Sequence, residues 1–205
     1  MTNADYTHLT LLVDRSGSMG SVQADAQGGI NELLTKQFGL PGKLTVTLVE
    51  FDTEIDSVVR MATEPVAYVL EPRGMTRLLD AAGIEIKRTG ADLAALDEAE
   101  RPGRVLFVVV TDGQENSSTE YRFEQVRALV EEHATVYRWV FQFIGADDAA
   151  WQGESMGMKT AKYRASGKGT RSAYKSIDDS MMAFRLMDAP MAAFAMPDDI
   201  PEDDE

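Results

Sequence analysis

The 205-residue sequence contains no cysteine, only two histidines, and no apolar run long enough to cross a bilayer. Without cysteine there are no disulfides, no thiolate metal sites and no cysteine nucleophile. A membrane helix needs about 20 consecutive apolar residues, and the chain offers none. The first residues, Met1 to Tyr6, are polar and lead directly toward an apolar strand, so no secretory signal is expected. These absences together favour a cytoplasmic protein. Basic charge is scarce too. Twenty Lys and Arg stand against 34 Asp and Glu, for a net charge of −14. Six of the acidic residues fall in the last eight positions, Asp198 to Glu205, and the remaining body is still acidic. A nucleic-acid ligand needs a basic footprint, and the sequence shows none.

What is present is an ordinary soluble composition, 44% apolar and 26% charged, in a length that suits one domain. His8 to Val13 is a short apolar run ending in Asp14 and reads as a buried strand. Apolar residues then recur at helical spacing from Val22 to Phe38, and Gly39 and Pro41 stop that helix. Leu44 to Phe51 alternates as a strand and Ile55 to Arg60 returns after Asp52-Thr53-Glu54, a connection so short that the two should pair antiparallel. A helix is expected over Leu78 to Lys87. Val105 to Val110 is the most hydrophobic segment and should be a central strand buried on both faces. Further on, the pattern predicts a helix over Tyr121 to His133, a strand over Val136 to Ile144 and a short helix over Asp147 to Met156. An edge strand over Lys159 to Arg164 and a last helix over Thr170 to Leu186 complete it. Alternating helices and strands define an α/β, doubly wound, Rossmann-like fold, mainly parallel with one antiparallel strand and helices on both faces. Residues 1–187 form the domain, and Asp188 to Glu205 reads as an acidic, disordered tail.

Ligands of such sheets bind outside the carboxyl ends of the strands. Two strands end there in polar signatures, Asp14-Arg15-Ser16-Gly17-Ser18 and Thr111-Asp112-Gly113, and a loop adds Gly74-Met75-Thr76. Asp14, Ser16, Ser18, Thr76 and Asp112 thus supply two carboxylates and three hydroxyls, with no His or Cys nearby. Such hard oxygen donors suit one divalent cation, Mg2+ before Mn2+ or Ca2+. Asp80 reads two ways, as a support for those ligands or as a helix residue satisfied by nearby backbone.

The three signatures, in this order and each at a strand end or loop, resemble the von Willebrand factor A domain and its metal-ion-dependent adhesion site (MIDAS). The resemblance covers roughly residues 6 to 187. It implies a six-stranded sheet with one antiparallel strand, which agrees with the hairpin read independently. It also implies a non-enzymatic, metal-dependent module in which an acidic side chain of a partner protein completes the coordination. For stand-alone bacterial and phage members, the resemblance implies work beside a MoxR-type AAA+ ATPase.

Other features carry blander readings. Asp52 and Glu54 belong to the hairpin turn. His133 at a helix C-terminus suits the helix dipole, and neither histidine is expected to be catalytic. Gly167-Lys168-Gly169-Thr170 lacks the first glycine and preceding strand of a phosphate loop. The Met-rich stretch Met181, Met182, Met187, Met191, Met196 reads as core filling or loose tail. The competing reading is a magnesium-dependent phosphoryl-transfer enzyme with Asp14 as nucleophile. Ser16 stands where such enzymes want a second Asp, and no lysine follows Asp112.

Overall fold

The computed structural model describes residues 2–186 and 197–202. Six strands and five α-helices follow one another as β1 (Asn3–Asp14), α1 (Gln23–Gly39), β2 (Lys43–Phe51), β3 (Ile55–Ala62), α2 (Leu78–Ala94), β4 (Pro102–Thr111), α3 (Phe123–Val136), β5 (Val140–Ala146), α4 (Trp151–Ser155), β6 (Lys159–Tyr163) and α5 (Gly167–Leu186). The strands form one sheet in the order β3-β2-β1-β4-β5-β6. Every pairing is parallel except β2 with β3, the hairpin. Strand order reverses between β1 and β4, so the crevice that favours ligands lies above their carboxyl ends.

Alternation along the central strands builds two cores. Leu9, Leu11 and Val13 of β1 and Leu106, Val108 and Val110 of β4 face α1 and α5. Val105, Phe107 and Val109 of β4 face α2 and α3 with Phe141 and Phe143 of β5. A strand buried on both faces carries apolar residues continuously, which explains the unbroken run in β4.

Several expected boundaries shift. α3 runs on through Val136, and Arg138 then reverses the chain in a left-handed conformation (φ 59°), so β5 starts at Val140 and not at Val136. β1 and β4 start at Asn3 and Pro102, because pairing of the two strands extends past their apolar centres. α2 continues to Ala94 despite Gly90. α4 is confined to Trp151–Ser155, the residues before it forming a turn, while α5 takes in Gly167 to Gly169 as its first turn. Most of the expected tail, at 188–196 and 203–205, lies outside the described residues. Residues 197–202 run beside β6. The Lys162 N–H donates to the Asp198 carbonyl (2.8 Å), the Ile200 N–H donates to the Lys162 carbonyl (2.8 Å), and Ile200 is buried.

On the α2 face, β1 presents His8 and Thr10 in place of aliphatic residues. His8 Nδ1 lies 2.9 Å from Thr45 Oγ1 and Nε2 lies 3.2 Å from Thr10 Oγ1. From Thr10 the chain of polar contacts runs through Thr89 (3.1 Å) to Glu85 (3.1 Å) and out to Arg60 (2.8 Å). Burial drives the His8 imidazole down to a pKa of about 4, with the Arg60 charge acting the same way. A histidine held neutral in the fold and free to protonate when unfolded contributes stability that is complete above about pH 6.5 and lost as pH falls toward 4. Replacing His8 by glutamine should therefore reduce the acid sensitivity of the chain. Between about pH 7 and about pH 5 the parent should lose roughly 2 kcal/mol more than the variant, as read from urea unfolding in chelator. Equal losses would remove His8 as the cause.

Candidate metal centre

Parallel pairing puts Val13 beside Val110, so the next residues, Asp14 and Thr111, leave the sheet side by side at the reversal of strand order. Thr111 Oγ1 donates to Asp14 Oδ2 (2.5 Å), and the Ser16 N–H donates to Asp14 Oδ1 (2.6 Å). The second bond bends the chain after β1 back over its own end. A single 3-10 turn, Gly17–Ser21, follows. Ser16 Oγ then lies 3.1 Å from Ser18 Oγ, and Ser18 Oγ donates to Asp112 Oδ1 (2.6 Å).

Thr76 arrives from the β3–α2 connection. Gly74 makes that turn possible with φ +69°, where a side chain would also meet Thr53 Oγ1 at 2.7 Å. Its carbonyl accepts the Gly17 N–H (3.3 Å), tying this loop to the first. Asn116 clasps Thr76 from the other side. The Thr76 N–H donates to Asn116 Oδ1 (2.9 Å) and the Asn116 N–H donates to the Thr76 carbonyl (3.0 Å).

Gly113 shows how closely the loops converge. A Cβ placed there would lie 3.2 Å from Thr76 Oγ1, 3.3 Å from Ser18 Oγ and 3.4 Å from Asp14 Oδ2. All five expected residues therefore meet: Asp14, Ser16 and Thr76 buried, Asp112 half-buried and Ser18 exposed at the mouth.

The electrostatics are unbalanced. Among the described residues neither Asp14 nor Asp112 has an ion-pair partner, and no three His, Cys, Asp or Glu side chains group as a metal cage. Burial raises the Asp14 carboxyl to a pKa of about 6 against the hydrogen bonds from Thr111 and Ser16. Burial raises Asp112 as well, and the nearby Asp148 carboxylate adds to it. The Tyr174 hydroxyl behind the site is buried without a hydrogen-bond partner among the described residues, and its pKa is raised by burial first and then by Asp14 and Asp112. Two carboxylates sharing a buried pocket with three hydroxyls and no positive side chain form a donor set that fits a hard cation.

Asp80 is not among the convergent groups. Fully buried at the start of α2, it accepts the N–H groups of Thr119 (2.8 Å), Glu120 (2.9 Å) and Tyr121 (2.7 Å) and the Arg77 guanidinium (2.6 Å). It fastens the loop after β4 to α2.

Sequence reading missed the supports of the site. Gln152 donates to the Gly113 carbonyl (3.1 Å) and accepts the Glu115 N–H (2.6 Å), and Glu115 accepts the Leu79 N–H (2.9 Å). Arg15, buried beside the site, pairs with Glu50, Asp52 (2.9 Å) and Asp56, so its charge is spent away from Asp14. Polar residues in loops give no periodic signal, and only the fold shows which backbone group each one meets.

No family model matches the sequence, and comparison with curated proteins gives no match. Solved structures do match in fold. The vWF domain of the type V pilus tip protein Mfa5 from Porphyromonas gingivalis superposes with a TM-score of 0.59 at 12% identity, covering 89% of this chain and 97% of that one. The von Willebrand factor type A protein of Catenulispora acidiphila gives a TM-score of 0.59 at 12% identity, over 86% of this chain and 43% of that one. Proximal thread matrix protein 1 from the mussel byssus, in a structure with a zinc-occupied MIDAS motif, gives 0.52 at 12% identity, over 81% and 41%. The chain spans somewhat under half the length of the mussel and Catenulispora proteins. The six-stranded sheet with its single antiparallel strand and flanking helices is the von Willebrand factor A fold. The likeness to these structures is one of fold, and no helix among the described residues is long and apolar enough to cross a membrane.

Proposed function

We propose that this domain holds one divalent cation, magnesium first, on Asp14, Ser16, Ser18, Thr76 and Asp112, and uses it to capture an acidic side chain of a partner protein. The observation that carries this reading is the pair of carboxylates, unpaired with any cation, inside a ring of three hydroxyls. Neutral hydroxyls leave a bound cation with much of its charge, so it would still attract a further carboxylate. Asp14 would carry most of the protein's charge toward the cation. Thr111 and the Ser16 N–H orient it, and Asn116 holds Thr76 in place.

The same geometry disfavours phosphoryl transfer. Ser16 stands where such an enzyme wants a second Asp, and the nearby Arg15 is spent on Glu50, Asp52 and Asp56, so among the described residues no positive side chain is left to steady a transferred phosphoryl group. A binding module without enzymatic turnover fits better. A MoxR-type AAA+ ATPase is the partner class that the sequence resemblance implies, in a cytoplasmic setting. Co-purification of such an ATPase in magnesium would test it.

Thermal unfolding tests the cation directly. Magnesium should raise the melting temperature of the parent, and Thr76→Ala should weaken that response by at least about tenfold in apparent affinity while leaving the fold intact. A parent melting curve that ignores magnesium, manganese and calcium alike would overturn the proposal.

A further inference from the structure

Resting on that reading of the site, we propose that the β5–α4 side of its mouth recognises a basic side chain next to the partner's acidic residue. Asp147 and Asp148 supply the charge, and Trp151 supplies a stacking face. The partner is thus a protein segment in which the metal-seeking Asp or Glu has a Lys or Arg neighbour, with apolar bulk beside it.

Three observations converge on this side. First, Trp151 opens α4 with 48% of its surface exposed. Its inner edge rests on Phe123, ring centroids 5.5 Å apart, which steadies the indole while leaving a broad face open. An indole is costly to leave in water, and exposed aromatic surface beside a binding site commonly marks contact area.

Second, this turn is fastened to the metal site. Gln152, next to Trp151, holds the Gly113 carbonyl and the Glu115 N–H, and Gln114 Nε2 donates to the Asp148 carbonyl (3.3 Å). A ligand seated at Asp112 therefore lies against this turn.

Third, the two carboxylates on this side make no ion pair. Asp147 and Asp148 are exposed, and neither has an ion-pair partner among the described residues. No Lys or Arg occurs between Arg138 and Lys159; Lys162 and Arg164 at the end of β6 share a pocket with Asp147, where Arg164 is paired with Glu202 (3.4 Å) and neither reaches Asp147 as an ion pair. The opposite rim differs. There Arg15 and Arg73 are bound to Glu50, Asp52, Glu54 and Asp56, and Arg77 to Asp80 and Glu120. A cation brought between the two aspartates and the indole gains from both charge and cation–π attraction. A partner with only acidic neighbours would be repelled.

The test is selection from a random linear-peptide display library on the immobilised parent, Trp151→Ala and Asp147→Lys chains, in magnesium and again in chelator. The parent should enrich peptides in which Asp or Glu is accompanied by Lys or Arg and an apolar residue, and chelator should release them. Asp147→Lys should shift the enriched neighbours from basic toward acidic. Trp151→Ala should weaken a selected peptide about tenfold, with Trp151→Phe recovering part of the loss. Both sites lie off the metal ligands, so both variants should keep the parent's magnesium-dependent rise in melting temperature. Magnesium-dependent enrichment of acidic peptides with random neighbours, or with the same neighbours on Asp147→Lys, would overturn this inference alone. No magnesium-dependent enrichment on any chain would overturn the metal-bridged capture as well.

Discussion

Asp14→Asn should make the metal-free chain more stable and abolish its response to magnesium. Asp14 is buried, has no positive partner, and is raised by burial to a pKa of about 6. A carboxyl whose pKa is higher in the fold than in the unfolded chain favours folding at low pH, and that advantage disappears as pH rises through about 6. At neutral pH the empty site carries the whole cost of a buried charge, roughly 1–3 kcal/mol. Asparagine keeps an oxygen for the Ser16 N–H and removes the charge, and Thr111 Oγ1 can turn its proton to the Gly113 carbonyl 3.1 Å away. Magnesium at about a thousand times its dissociation constant would stabilise the parent by about 4.1 kcal/mol and leave the variant unmoved. The two stability curves should therefore cross, with the variant ahead in chelator and behind in magnesium. Urea unfolding under both conditions reads the result. A magnesium effect of parental size in Asp14→Asn would remove Asp14 from the ligand set.

Asp80→Ala should act in the opposite sense and unfold the chain more easily under every condition. Four donors converge on this one carboxylate, three of them backbone N–H groups of consecutive residues 119–121 and one the Arg77 guanidinium. Those bonds outweigh its burial and hold the Asp80 carboxyl below its ordinary pKa. Alanine would leave three amides and the guanidinium without their acceptor, and because Thr119 and Glu120 are exposed, water would replace part of it, so the change costs about 1–3 kcal/mol. Asparagine should recover little, because its amide nitrogen would face donors. Hydrogen exchange adds a local readout, since the amides of Thr119, Glu120 and Tyr121 should lose protection first. A cost below about 1 kcal/mol would show that the loop has another anchor.

These two aspartates also mark what could be read in the sequence. Asp14 was legible because it ends an apolar strand and stands two and four residues before Ser16 and Ser18, a spacing that converges on one point. Thr76 and Asp112 were legible from the glycines beside them and from the strand before Asp112. The sheet followed from the runs at His8–Val13, Leu44–Phe51 and Val105–Val110. Strand boundaries were less visible, since Asn3 to Thr7 and Pro102 to Arg104 pair through backbone groups that any residue supplies. The limit of α3 was hidden because Val136 and Tyr137 are as apolar as a strand, while their exposure at the end of a helix depends on the left-handed turn at Arg138. The polar chain from His8 through Thr10 and Thr89 to Glu85 joins residues far apart in sequence. No periodicity announces such a chain.

Residues 198–202 lie along the flank of the sheet where β6 would otherwise offer bare backbone, and Ile200 seals the strip of core beneath. An unpaired parallel strand end is an invitation to any loose strand nearby, including one from an identical molecule. Those few residues act as a hem on the fabric. A chain trimmed before Asp198 would keep its fold and its metal loops, yet it would fray into contact with its neighbours as concentration rose.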